Sequence, residues 1–178
     1  MKLLPVKFQV LPGEAEEVAH EHLSPREVCQ LNAYRKARAI ARKKPDALVL
    51  GADTLVFLVN EIFGKPRSRA EARRMLERLQ GRTHQVVTGV CLLHLRTHRE
   101  RVFAVSTSVQ FHPLNARQIR DYLAQMNPLD KAGAYAIQER GEMIISKISG
   151  SFSNVVGLPV ERLRAELAGW PEQFSFFS

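Results

Sequence analysis

The sequence has 178 residues, of which 45% are hydrophobic and 25% are charged. This composition excludes an intrinsically disordered chain, because such chains combine few apolar residues with many charges. No apolar run approaches the roughly 18 residues of a membrane span, and the apolar start of the chain is too short for a signal peptide. We therefore expect one domain over residues 1–178, located in the cytoplasm.

The net charge indicates the class of partner, and the cysteines indicate the compartment. The 26 Lys and Arg residues against 18 Asp and Glu residues give a net charge of +8, so the surface attracts polyanions such as nucleotides and nucleic acid. Cys29 and Cys91 have no His or Cys at metal-ligand spacing, which indicates free thiols in a reducing compartment.

Arginines are concentrated around one predicted helix. They are Arg67, Arg69, Arg73, Arg74, Arg78 and Arg82. A helix face exposed to solvent is sufficient to explain these arginines. Nucleic-acid contact is possible but not favoured, because no binding signature accompanies them and only 7% of residues are aromatic.

The N-terminal part predicts a strand followed by a helix. Residues 6–10 alternate between apolar and polar types, as in a half-buried strand. Ser24, Pro25 and Glu27 have the spacing of a helix start with a capping box. We expect this helix to end before Pro45, because proline cannot continue it.

Strands and helices alternate along the rest of the chain. Residues 47–50 predict a strand buried on both sides, and residues 55–59 predict a second strand. Further strands are predicted at residues 84–95 and 101–111, joined by a polar hairpin loop. Helices are expected to begin at Ser68, Asn115 and Pro159. This order predicts an α/β domain with a mixed sheet.

The segment Gly51-Ala52-Asp53-Thr54 follows the predicted strand 47–50 directly. Ligands gather at the carboxyl ends of strands in α/β sheets, so Asp53 could hold a divalent cation or activate water. Alternatively, it caps the next segment. Glu16 could face Asp53 and complete an oxygen site for Mg²⁺ or Mn²⁺, or lie with Glu17 in a solvated loop.

Phe63-Gly64-Lys65-Pro66 is a second candidate segment. Glycine permits an unusual backbone conformation and proline stiffens the chain, so Lys65 is held on a constrained loop. A fixed ammonium suits a phosphate oxygen. A solvated lysine on a hairpin explains the same residues.

Residues 130–138 form the third candidate. Small residues around Gly133 let the backbone approach a planar ligand, and Gln138 offers a donor and an acceptor to a base edge. A tight crossing between packed elements, with Asp130 and Lys131 as a surface pair, is the alternative. Both interpretations can hold together.

Six segments occur in an order that resembles one protein family. They are Leu50-Gly51-Ala52-Asp53-Thr54, Gly64-Lys65-Pro66, residues 75–84, Val87-Thr88-Gly89-Val90, residues 130–138 and Asn154-Val155-Val156-Gly157-Leu158-Pro159. Together they resemble the Maf family of nucleoside triphosphate pyrophosphatases, from about Pro5 to the final helix. Each segment is weak evidence by itself, and the ordered set is strong.

The resemblance implies a metal-dependent hydrolase. Such an enzyme cuts between the α- and β-phosphates of a nucleoside triphosphate, in keeping with a role in cleansing the nucleotide pool. The implied fold is an elongated, mixed and twisted sheet flanked by helices with a central cleft, similar to inosine triphosphate pyrophosphatases. The segment 133–138 is similar to the branch that prefers dTTP or UTP.

The resemblance also assigns residue roles. Asp53 matches the catalytic aspartate, and Glu16 matches an acidic residue that shares a Mg²⁺ or Mn²⁺ ion with it. Residues matching substrate contacts are the phosphate-binding Lys36 and Lys65 and the base-selecting Thr54 and Gln138. A homodimer is possible.

The start of the sequence departs from the family pattern. Members open with a Ser-x-Ser-Pro-Arg-Arg loop that holds the triphosphate, whereas this sequence begins after that position. Ser24-Pro25-Arg26-Glu27 is no substitute, because it lies on a helix cap. Two explanations remain open: the sequence is shortened at its N-terminus, or the chain is a weak or inactive nucleotide- or nucleic-acid-binding member that has lost its phosphate clamp.

Overall fold

The structure is a computed structural model that describes residues 8–12, 22–59 and 61–170. Its helices are α1 (Pro25–Ala41), α2 (Arg69–Leu79), α3 (Ala116–Ala124), α4 (Phe152–Val156) and α5 (Val160–Ala168). Its strands are β1 (Val49–Leu58), β2 (Glu61–Phe63), β3 (Thr83–His94), β4 (Arg99–Phe111) and β5 (Ile145–Ser149). The predicted α/β class, with helices flanking a sheet, is confirmed.

The five strands form one sheet in the order β2-β1-β3-β4-β5. β1 pairs with β2 and β4 pairs with β5 in antiparallel registers, for example Val56 with Phe63 and Val109 with Ile148. Within the described residues the sheet is antiparallel, so the parallel pairing that a mixed sheet requires is not found. For two of the four neighbouring pairs the physical reason is local, because short hairpins join β1 to β2 and β3 to β4 and a short hairpin reverses the chain.

The predicted starts of α1, α2 and α3 are confirmed, and a side chain caps each of them. Ser24 and Glu27 form the capping box of α1, and Asn115 and Gln118 form that of α3. The Ser68 side chain accepts a hydrogen bond from the first turn of α2. Each cap satisfies backbone N–H groups that the helix itself leaves unpaired.

Two strand predictions were wrong. Residues 8–10, the described part of the predicted first strand, have no strand conformation, and Phe8 and Val10 are exposed. The expected break after residues 47–50 is also absent, because β1 continues through Gly51, Asp53 and Thr54. The acidic segment with Glu16 and Glu17 lies outside the described residues.

The chain forms two compact units. Among the described residues, the first unit contains 8–12, 22–53, 88–105 and 157–170, and the second contains 54–59, 61–87 and 106–156. β1, β3 and β4 therefore each contribute residues to both units. A single domain over residues 1–178 stays a prediction.

Each unit has its own buried apolar residues. In the first unit, α1 packs its alanines with Val49, Cys91 and Leu93, and α5 packs Leu163 with Val90 and Phe103. In the second unit the core includes residues from α2, α3 and four strands. Cys29 and Cys91 do not form a disulfide, as expected, and both are buried. Among the described residues, no helix is long and apolar enough to cross a membrane.

Candidate active site

Asp53 lies in the middle of β1 and is almost fully buried, with 7% of its surface exposed. The sequence placed this carboxylate after the end of a strand, and that placement was wrong. The glycine before it does not make a turn, because its conformation is that of the strand. Asp53 is therefore held on a strand of the sheet rather than on a loop.

Gly51 instead makes room for helix α1. A Cβ atom at Gly51 would lie 2.2 Å from the backbone oxygen of Ala33, and one at Gly89 would lie 2.3 Å from the backbone carbon of Cys29. No side chain fits at such distances. The two glycines therefore let the α1 backbone lie directly against β1 and β3, which explains why neighbouring helix residues such as Ala37 are small.

This close packing brings two side chains of α1 to Asp53. Asn32 and Lys36 are four residues apart, so they lie on the same face of the helix. The Lys36 Nζ atom is 2.6 Å from Asp53 Oδ1, and the Asn32 Nδ2 atom donates to Asp53 Oδ2 at 3.1 Å. Each carboxylate oxygen thus has its own donor on the helix.

The pair combines burial with access to solvent. The side chain of Asp53 is 6% exposed, whereas that of Lys36 is 26% exposed. A buried carboxylate is unfavourable unless its charge is compensated, and here the Lys36 ammonium and the Asn32 amide compensate it. The structure therefore holds a buried charge beside a cation that reaches the surface, which suits phosphate chemistry.

Thr54 follows Asp53 directly on β1 and is partly buried. Successive side chains of a strand point to opposite faces, so the two side chains leave β1 in different directions. Thr54 also belongs to the second compact unit, whereas Asp53 belongs to the first. Its predicted role in base selection stays a prediction.

Lys65 lies on a loop of the second unit, between β2 and α2. The N–H of Gly133 donates to the Gly64 carbonyl oxygen at 3.0 Å, which ties this loop to the segment after α3. The expectation of an unusual backbone at Gly64 was wrong: its φ is not positive, and no heavy atom lies within 4 Å of a Cβ placed there. Lys65 also contributes to the lowered pKa of Asp130, after the larger effect of the hydrogen bond from Lys131.

Gly133 is a packing residue. Its φ is +69°, and a Cβ there would meet the side chain of Val56 at 3.0 Å. The tight crossing of packed elements is therefore present, and Asp130 and Lys131 form the expected pair at 3.0 Å. These contacts explain Gly133, Asp130 and Lys131 without a ligand against the Gly133 backbone.

Gln138 is exposed, and the chain is held on both sides of it. The Tyr122 hydroxyl accepts from the Ala136 N–H at 3.0 Å and donates to the Ala136 carbonyl oxygen at 3.3 Å. The Lys131 ammonium lies 3.4 Å from the Glu139 carboxylate. Burial raises the pKa of Tyr122 to about 12, so its hydroxyl keeps its proton. Gln138 is thus presented on a turn with two fixed ends.

Tyr135, in the same segment, reaches the core of the second unit. His84 Nε2 and the Tyr135 hydroxyl are 2.8 Å apart, and both rings pack edge-on against Phe111. Burial lowers the pKa of His84 to about 4 and raises that of Tyr135. His84 is therefore neutral at pH 7. The sequence offered no signal for this pair, because 51 residues separate its members.

Comparison with known proteins agrees with the order of the motifs. The family model described as Maf-like protein matches residues 1–170. The chain belongs to the Maf family. The resemblance drawn from the six sequence segments is thereby confirmed.

Relatives of this Maf-family chain are 41% to 48% identical to it over most of its length. A dTTP/UTP pyrophosphatase of Bacillus velezensis is 44% identical over 163 residues, which cover 91% of this chain and 85% of the relative. A dTTP/UTP pyrophosphatase of Symbiobacterium thermophilum is 48% identical over 157 residues, covering 88% and 80%. A dTTP/UTP pyrophosphatase of Carboxydothermus hydrogenoformans is 41% identical over 170 residues, covering 96% and 91%.

The residues of this Maf-family chain fit the metal that the family implies. Within residues 8–12, 22–59 and 61–170 there is no cluster of three or more His, Cys, Asp or Glu side chains. Mg²⁺ does not require such a cluster, since it binds through one or two carboxylates together with substrate phosphates and water. Asp53 is one of the two carboxylates predicted to hold the metal, and Glu16, the other, lies outside the described residues.

Many arginines of α2 have protein partners. Arg73 pairs with Glu77, Arg78 pairs with Glu61, and Arg69 donates to the Leu123 carbonyl oxygen. These contacts agree with a solvated helix face whose charges are partly compensated. They give no support to nucleic-acid contact.

Sequence reasoning missed Asn32. A signal for it existed, because Asn32 lies one helical turn before Lys36 and any helix that presents Lys36 to Asp53 also presents Asn32. Reading residues 51–54 as the end of a strand hid this relation. Tyr122, which holds Ala136 from α3, had no comparable signal.

Proposed function

We propose that this chain is a nucleoside triphosphate pyrophosphatase that hydrolyses dTTP or UTP to the nucleoside monophosphate and pyrophosphate. The observation that carries the proposal is the buried Asp53 carboxylate with Lys36 at 2.6 Å, within a chain of the Maf family. Its relatives of more than 40% identity named as dTTP/UTP pyrophosphatases support the substrate.

Asp53 is the base that takes a proton from the attacking water. Attack at a phosphoryl group is limited by charge repulsion and by positioning, so a rigidly held carboxylate beside a cation suits the reaction. Because Asp53 lies on a paired strand and is bonded at both oxygens, its carboxylate is held in place before the substrate arrives.

Lys36 and Lys65 bind phosphate oxygens. An ammonium group has three N–H donors, so Lys36 can keep its bond to Asp53 and still donate to a phosphate. Lys65, on a loop tied to Gly133, would supply a second cation. Thr54 and Gln138 select the base, and Gln138 is suited to this role because it is exposed on a turn held at both ends.

A divalent metal belongs to the proposal. Asp53 and Glu16 would hold Mg²⁺ or Mn²⁺, which would lower the pKa of a bound water and offset phosphate charge. The oxygen chemistry of the two carboxylates supports a hard cation of this kind.

The test is product analysis with purified protein. We expect pyrophosphate and the nucleoside monophosphate from dTTP and UTP with Mg²⁺ or Mn²⁺, and no products once EDTA removes the metal. Release of inorganic phosphate and nucleoside diphosphate would contradict the α–β cleavage. No turnover of any nucleotide would contradict the enzyme.

Three further properties are the binding-only alternative, the cellular location and the oligomeric state. Neither the described contacts nor the relatives favour a protein that only binds nucleotide or nucleic acid, so that alternative is not proposed. A cytoplasmic location is supported by Cys29 and Cys91, which do not form a disulfide. A homodimer stays a prediction.

A further inference from the structure

We propose that Asn32 is a positioning residue that fixes the orientation of the Asp53 carboxylate for catalysis. The proposal rests on the proposed function, in which Asp53 is the base. Asn32 acts through Asp53, because the Asn32 Nδ2 atom donates to Asp53 Oδ2 at 3.1 Å.

The two donors on α1 supply different things to Asp53. Lys36 ends in a compact ammonium on a flexible four-carbon chain, so it supplies charge without fixing a direction. Asn32 has a short side chain with a planar amide and is 4% exposed. A carboxylate bonded at one oxygen can still rotate about its terminal torsion, which is broad, whereas one bonded at both oxygens cannot. Asn32 therefore determines the plane of the Asp53 carboxylate.

The backbone around this contact is rigid. Asn32 lies well inside the 17-residue helix α1, and Gly51 and Gly89 bring that helix into direct backbone contact with β1 and β3. The backbone of Asn32 can therefore move away from Asp53 only together with the helix. Sites held by rigid elements keep their geometry better than sites on loops.

Orientation matters for a general base because the lone pair must point at the proton that it accepts. Asn32 also suits the role because its amide does not ionise and therefore carries no charge of its own. The Asn32 amide therefore directs Oδ1 and Oδ2 without taking part in proton transfer.

The direct test replaces Asn32 by leucine, which keeps the branched shape of the side chain and removes the donor. We expect kcat for dTTP to fall about 10- to 100-fold in Asn32→Leu, as for other losses of an outer contact or of about 1 Å in position. KM, and the affinity for a non-hydrolysable α,β-methylene analogue measured by calorimetry, should stay within about threefold.

Two further variants of Asn32 strengthen the test. Asn32→Ser removes the direct bond without adding apolar bulk, so the result does not depend on the folding of the leucine variant; its kcat should also fall. Asn32→His restores an N–H donor at a similar distance along the side chain and should regain at least about tenfold in kcat over Asn32→Leu.

Asn154 provides the matched control. It is the other buried asparagine among the described residues, and its amide donates to the Val86 carbonyl oxygen and to Thr107, both at 3.0 Å. Asn154→Leu should lower the melting temperature while kcat and KM measured well below that temperature stay unchanged.

The outcomes separate this inference from the proposed function. Turnover of dTTP by the wild type supports the function whatever the Asn32 variants do. Equal kcat in wild type and Asn32→Leu, equal kcat in Asn32→Leu and Asn32→His, or the same fall in kcat in Asn154→Leu would each overturn the positioning role.

Discussion

At the scale of single residues, the site depends on compensating one buried charge. Asp53 is 7% exposed, and its two oxygens have separate donors in Lys36 and Asn32. Removing one partner of a buried pair leaves the other charge uncompensated, which is why such pairs tolerate substitution poorly. The sequence identified Asp53 and Lys36 by family resemblance, and the contact between them appears only in the fold.

Replacing Asp53 by asparagine keeps the shape of the side chain and removes the base. We expect Asp53→Asn to lower kcat for dTTP about 100- to 10,000-fold, the usual contribution of a general base. The measurement is pyrophosphate release under saturating nucleotide and metal.

The matched control for that variant is Asp46→Asn. Asp46 is an exposed aspartate of the same unit, paired with Arg96. An exposed pair of this kind contributes about 0–1 kcal/mol to stability and nothing to the reaction. Comparable activity in Asp53→Asn and Asp46→Asn would show that Asp53 is not the base.

At the scale of elements, two glycines determine how α1 meets the sheet. The short distance from a Gly51 Cβ to the Ala33 backbone oxygen leaves no space for any side chain. Family motifs that contain Gly51 and Gly89 are therefore partly structural, because they admit the helix that carries Asn32 and Lys36. A strand glycine often marks such a close approach of another backbone.

A methyl group at Gly51 would push α1 away from β1. We expect Gly51→Ala to lower the free energy of unfolding by about 3 kcal/mol, at the upper end of what overpacking costs, because the clashing atom is backbone. Urea denaturation measures the change.

Gly64→Ala is the control for this effect, since a Cβ at Gly64 has no heavy atom within 4 Å. Its free energy of unfolding should stay within about 0.5 kcal/mol of the wild type. If Gly51→Ala were equally mild, the helix would not need the glycine.

At the scale of the whole molecule, a buried histidine links stability to pH. His84 is 1% exposed, and burial lowers its pKa to about 4. In an unfolded chain a histidine has a pKa of about 6.5. The unfolded chain therefore takes up a proton first as the pH falls through that range, and the folded state loses stability there, whereas above about pH 6.5 the histidine has no effect.

The variant His84→Gln lacks the imidazole that takes up a proton in the unfolded chain. Between about pH 7 and about pH 4.5, we expect the wild type to lose about 2 kcal/mol more free energy of unfolding than His84→Gln does, from the linkage between pKa and stability. Urea denaturation of the wild type and of His84→Gln at both pH values gives the four free energies of unfolding that are compared.

His112→Gln is the control, because His112 is exposed. It should show the same pH dependence as the wild type. If the free energy of unfolding changed equally with pH in the wild type and in His84→Gln, His84 would bind its proton as tightly in the folded chain as in the unfolded chain.

Local patterns in the sequence were sufficient for the helix starts and the family. Ser24 with Glu27 and Asn115 with Gln118 are capping pairs within one turn, so nothing distant is needed to recognise them. The ordered motifs identified the Maf family and its candidate residues in the same way.

Only the tertiary structure decided what lies beside Asp53. Residues 51–54, which were expected to follow the end of a strand, lie inside β1. The close contact of α1 with Gly51 brings Asn32 to the Asp53 carboxylate. The physical reason is that a glycine permits both a turn and a close backbone contact, and the residues near it in sequence do not distinguish the two. The His84 and Tyr135 pair likewise depends on elements distant in sequence that meet in one core.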